Sequence, residues 1–140
     1  MFKRILFATD GSEHAMKAAD TALELAKTNH AQVEILYVCY SVNTWTRVVY
    51  SADSLRKELK EEAEEILSQV VAKFKKAGIP YTTKVLTGDI ADVICHEAER
   101  NKIKLIVMGS RGLNTVSSFV LGSVSSKVLS HACCPVLIVR

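Results

Sequence analysis

The chain has 140 residues, 49% hydrophobic and 24% charged, the balance of one ordinary globular domain spanning residues 1–140 and not of a disordered segment. Its net charge is +3, with lysines and arginines scattered among acids, so no basic stripe points to nucleic acid. No apolar run approaches the ~18 residues of a membrane span, and the first apolar run has no cleavage site behind it, so the expected compartment is the cytoplasm.

Ile5-Leu6-Phe7-Ala8 reads as a buried strand ending at Asp10. Ser12 is placed to cap a helix whose apolar face is Ala15, Ala18, Ala19, Ala22, Leu23 and Ala26. Val33 to Cys39 is the second strand, and residues 40–50 form a loop containing Trp45. The second helix starts near Asp53 or Ser54. Leu55, Leu59, Ala63, Ile66, Leu67, Val70, Val71 and Phe74 recur on it at three- and four-residue steps, opposite a solvated Lys/Glu face. Gly78 and Pro80 stop it.

Tyr81 to Leu86 alternates as a third strand, and Asp89 is the expected cap of a third helix. Ile103 to Met108 is a fourth, nearly all-apolar strand. A loop from Gly109 to Leu121 leads to a fourth helix beginning at Gly122-Ser123 and burying Val124, Val128 and Leu129. Val136 to Val139 is the fifth strand.

This alternation predicts an α/β fold: a single doubly wound domain, a five-stranded parallel sheet in the order 3-2-1-4-5 with helices on both faces. Strands one and four are then central, as their continuous apolar runs require. A ligand belongs outside their carboxyl ends, where Asp10 and Gly109 stand.

The four cysteines (Cys39, Cys95, Cys133, Cys134) make no C-x-x-C pair and have apolar neighbours, so reduced, mostly buried thiols are expected. The four histidines lack metal-ligand spacing.

Gly109-Ser110-Arg111-Gly112, nine further residues and Gly122-Ser123 fall at the expected crevice. Glycines allow close backbone approach. Ser110, Asn114, Thr115, Ser117, Ser118, Ser123, Ser125 and Ser126 supply small donors, and a helix start favours an anion. Arg111 and Lys127 are candidates for added positive charge. The segment reads as a phosphate-binding loop, against the plainer reading of a serine-rich strand-to-helix connection.

With these residues the chain resembles the universal stress protein family over its whole length. The likeness rests on Ile5 to Glu13, Leu105 to Gly112, Gly122-Ser123-Val124 and Cys134-Pro135-Val136-Leu137-Ile138-Val139. The spacing of glycine, two residues, glycine, nine residues, glycine and serine is that of the family's ATP-binding branch. The resemblance implies ATP as ligand, with Gly109, Gly112, Gly122 and Ser123 on the phosphates and the Val124 amide beside them. It places Asp10 by the ribose and adenine, Val38 along the base and Met108 flanking the site. Val38 and Met108 read equally as core residues. Ala8 stands where ATP-binding relatives often carry proline; the aspartate stays in register.

No Walker loop, dinucleotide fingerprint or catalytic triad is present in the sequence. Residues 109–123 hold no acid or histidine to act as a base, and Asp10 is the sole evident candidate for binding Mg2+ or acting as a base. The expectation is an ATP-binding regulatory or stress-response dimer with no catalytic residues. The alternatives are a slow ATP hydrolase or nucleotide-transferring enzyme, and a nucleotide-free interaction module. A phospho-receiver is excluded, because Asp10 lacks an acidic neighbour and strand three ends Leu86-Thr87-Gly88. Val136-Leu137-Ile138-Val139 is an unprotected apolar edge, suited to pairing with a second copy; the resemblance implies the same homodimer.

Overall fold

The computed structural model describes residues 1–40, 52–111 and 122–140. The strands are β1 (Arg4–Thr9), β2 (Gln32–Tyr40), β3 (Tyr81–Gly88), β4 (Leu105–Gly109) and β5 (Val136–Val139). The helices are α1 (Glu13–Asn29), α2 (Ala52–Ala77), α3 (Ile90–Arg100) and α4 (Ser123–His131). All strand pairs are parallel, in the order β3-β2-β1-β4-β5. This is the order expected from the apolar runs. The expected loop around Trp45 and the loop residues from Gly112 to Leu121 lie outside the described residues.

Strand alternation splits the core in two. Ile5 and Phe7 of β1, with Val33 and Ile35 of β2, pack on the alanine face of α1 and on Leu67, Val70 and Phe74 of α2. Leu6, Ala8, Leu36 and Val38 face the other way, onto Ala91, Ile94 and Ala98 of α3 and Val128 of α4. The side chains of Leu55 and Leu59 lie outside the described residues. Phe7 and Phe74 stack at 6.4 Å between centroids and join β1 to α2.

Helix ends follow local chemistry. Ser12 Oγ accepts the Ala15 amide at 3.2 Å, and Asp89 Oδ1 accepts the Asp92 amide at 3.0 Å. Gly78, at φ +69°, closes α2 in the left-handed region, with the Ile79 amide reaching the Phe74 carbonyl.

Three expectations need correction. Leu129 is 43% exposed, because on a helix burying Val128 it sits one step around the axis. Ile103 and Lys104 precede β4, which begins at Leu105. The cysteines are free, but only Cys39 is buried, and Cys133 is exposed in the α4–β5 turn.

Phe74→Ala should cost about 3–5 kcal/mol, since Phe74 is fully buried and its ring bridges helix to sheet. Urea denaturation checks this; an unchanged midpoint would show that α2 does not depend on the Phe7 stack.

Candidate functional site

β1 and β4 are neighbours, yet their connections leave in opposite directions, one toward β2 and the other toward β5. A cleft of about 520 Å³ opens at their carboxyl ends. It is bounded by the ends of β1, β2 and β4 and by the first turns of α3 and α4.

One wall is apolar. Ala8, Val38 and Met108 line it, all under 9% exposed, together with Leu36, Ile90 and Ile94. Each also belongs to, or packs against, the core layer under α3 and α4. The other wall is backbone and small polar groups: Gly109, Ser110, Gly122, Ser123, Val124 and Ser125. Asp10 stands at the β1 end, and its Oδ1 accepts the Ser12 amide at 2.8 Å, which fixes the turn into α1. Gly112 lies outside the described residues. The remaining expected site residues all line this one cleft.

Two segments distant in sequence are clamped together here. The Gly122 amide donates to the Ser110 carbonyl at 2.9 Å, and Ser125 Oγ donates to the same carbonyl at 3.0 Å. The start of α4 is thereby fixed to the end of β4. Its N-cap, Gly122, offers no side-chain cap, unlike Ser12 and Asp89 on α1 and α3. The first amides of α4 therefore have no side-chain acceptor from their cap.

The electrostatics correct one expectation. Lys127 Nζ lies 3.2 Å from Asp89 Oδ1 and 3.1 Å from Asp92 Oδ1, so its charge is shared with the start of α3. Those hydrogen bonds raise Lys127 above the ordinary lysine value. Asp89 is held low, first by the Asp92 amide and then by Lys127. Arg111 lines the cleft. Tyr37, at its β2 side, is pushed up to about 12 by burial first and then by the nearby charges of Glu62 and Asp10, so its phenol stays protonated at neutral pH.

Leu36, Ile90 and Ile94 line the cleft although the sequence reading does not single them out as site residues. Leu36 stands two before Val38 on the same strand face, and Ile90 and Ile94 stand one helical turn apart. Those spacings carried the signal.

Fold and site together define a doubly wound α/β domain whose switch-point cleft is apolar on one wall and glycine- and serine-lined on the other. The chain matches the Universal stress protein family over residues 1–140 and belongs to it. It is 38% identical over 148 residues to universal stress protein YxiE of Bacillus subtilis (strain 168), with 100% of both chains covered. A universal stress protein solved in complex with cAMP has a TM-score of 0.77 at 26% identity, covering 99% of this chain and 97% of that one. A universal stress protein family protein from Arabidopsis thaliana, solved with AMP bound, has a TM-score of 0.70 at 25% identity, covering 98% and 90%.

Gly109 is the tightest point of the site. A Cβ there would lie 3.0 Å from the His14 carbonyl carbon and 3.1 Å from the Ala15 amide nitrogen. Gly109→Ala should therefore push α1 from β4 and cost about 1–3 kcal/mol. Chemical denaturation reads the loss; wild-type stability would mean that α1 yields freely.

Proposed function

We propose that this protein binds an adenine nucleotide, ATP in particular, in the switch-point cleft and acts as a regulatory homodimer with little or no catalysis. The observation that carries the reading is the pairing of an apolar slot with a helix N-terminus that has no side-chain cap, in one cleft. A purine needs the first and a phosphate the second. The cAMP and AMP complexes of the two relatives support the same ligand class.

In this reading the base lies against Val38 and Met108, Ala8 floors the slot, and Asp10 accepts from the ribose. Gly109, Gly112 and Gly122 let backbone amides meet the phosphates, with the Ser123 hydroxyl and the Val124 amide at the helix start. Asp10 is the only carboxylate among the described residues lining the cleft. Magnesium favours six oxygen ligands and keeps several as water. One carboxylate suits a Mg2+ carried in on the phosphates better than a resident ion. Donors without a base hold phosphates but do not activate water.

Calorimetry should give one ATP per chain for wild type. Ser123→Ala should weaken binding several-fold and Gly122→Val should abolish it. A Cβ at Gly122 would already sit 3.2 Å from the Ser110 carbonyl oxygen, so circular dichroism must accompany that variant. Wild-type affinity in a folded Gly122→Val protein would overturn the assignment. Phosphate release with ATP and Mg2+ should stay well below the usual enzyme scale, on the order of 1 s⁻¹ or faster.

The dimer is assigned to β5. The Pro135 and Val139 carbonyls accept from Ile106 and Ser110 on the β4 side, so the alternating backbone groups of Val136 and Ile138 face the open edge. Ile138 also packs its side chain on the core, which makes a charge there a poor probe. Ile138→Pro removes an edge N–H while sparing the β4-facing groups, and because it also removes the packed isoleucine side chain, circular dichroism must show it folded. Sedimentation at tens of micromolar should show a wild-type dimer and a monomeric proline variant; a wild-type monomer would refute the pairing.

A further inference from the structure

β2 carries one acid on a buried face. Glu34 lies on the same side as Leu36 and Val38 and is only 9% exposed. Its register partners are Leu6 on β1 and Thr82 on β3, neither of them charged. α3 meets it with a second acid, Glu97, which is 3% exposed. Lys84 reaches in from β3, and its Nζ donates to Glu97 Oε1. Asn101, the cap of α3, spends both amide hydrogens on the pair: Nδ2 lies 2.8 Å from Glu34 Oε2 and 2.7 Å from Glu97 Oε1. Glu34 Oε1 is buried with no hydrogen-bond partner.

Two ionised carboxylates and one ammonium would leave a net negative charge in a place with little water. Like charges side by side oppose joint ionisation, and an uncompensated buried charge is costly. The lysine sits on Glu97, so Glu97 is the carboxylate. The asparagine uses one oxygen of each acid, which leaves Glu34 Oε1 free to carry hydrogen. We propose that Glu34 and Glu97 together hold one proton in the folded protein, carried on Glu34, so that the β2–α3 contact is a proton-binding site. It stands apart from the nucleotide cleft and does not depend on that reading.

The electrostatics run the same way. Burial first, and then the charge of Glu97, raises Glu34 above the ordinary glutamate value. Against its own burial, Glu97 is held low by hydrogen bonds from Lys84 and Asn101. A raised carboxyl contributes stability that is complete below its unfolded value and is lost as pH rises through the folded one. Above that point a second negative charge is forced between β2 and α3. For Glu97 the sign reverses, and its contribution is lost as pH falls.

Carboxyl-carbon NMR titration of the full chain tests the assignment, with thermal unfolding against pH for wild type and Glu34→Gln. Glu34 should titrate above the ordinary glutamate range. Across that range the wild-type midpoint should fall relative to Glu34→Gln by the linkage of one proton, because glutamine is already neutral. Glu34 titrating at or below an ordinary glutamate would overturn the proposal. So would a folded Glu34→Gln protein with the wild-type pH dependence. If that variant does not fold, the wild-type titration alone decides.

Discussion

The side-by-side parallel pairing of β1 and β4 is the constraint from which the rest follows. Ile5, Leu6 and Phe7 register with Leu105, Ile106 and Val107, and all six are under 5% exposed. Both strands must be apolar on both faces, because helices cover each side. Each strand also has its second neighbour on its outer side, so the chain turns away in opposite directions above the pair. Among the described residues no connection fills the space between, and a cleft results from topology before any side chain is chosen. Gly109 then brings α1 within van der Waals distance of β4, which keeps the cleft floor closed on the α1 side.

Against that background the starts of α1, α3 and α4 are unequal. Ser12 and Asp89 give α1 and α3 the side-chain caps that a stable helix favours. α4 begins on Gly122, which provides none, although it opens onto the cleft. Position matters here: of these three helices, the one that omits the ordinary stabilising residue is the one whose N-cap lines the cleft. Local rules are most often set aside where a protein does something other than fold.

The strand order was legible because burial on two faces writes itself as a continuous apolar run, as in β1 and β4, while the edge strand β3 shows mixed polarity. Caps at Ser12 and Asp89 and the stop at Gly78 were legible because they depend on neighbours within a few residues. The glycine spacing marked the cleft for a similar reason. Contacts between distant segments left no such trace. Lys127 reads in sequence as a cation beside a phosphate loop, but it is tied to Asp89 and Asp92, more than thirty residues earlier. Glu34 looks like an ordinary polar strand residue until β2 is placed under α3, where Asn101 is its partner from 67 positions away.

The sharing of Lys127 bears on how an anion would be held. Its ammonium is partly exposed, already hydrogen-bonded to two carboxylates and not among the residues lining the cleft, so it adds little unshared charge there. What remains near Gly122 is the set of α4 amides. Peptide dipoles are fixed by the fold and need not reorganise when an anion arrives. They also sit inside the cleft, whereas exposed lysine charges lose their influence over roughly 8 Å at physiological ionic strength. An anion held mainly by amides is selected by shape and hydrogen-bond direction more than by total charge. That favours a ligand with an apolar part to fix its position against Val38 and Met108, and it disfavours a bare inorganic ion, for which the apolar wall does nothing.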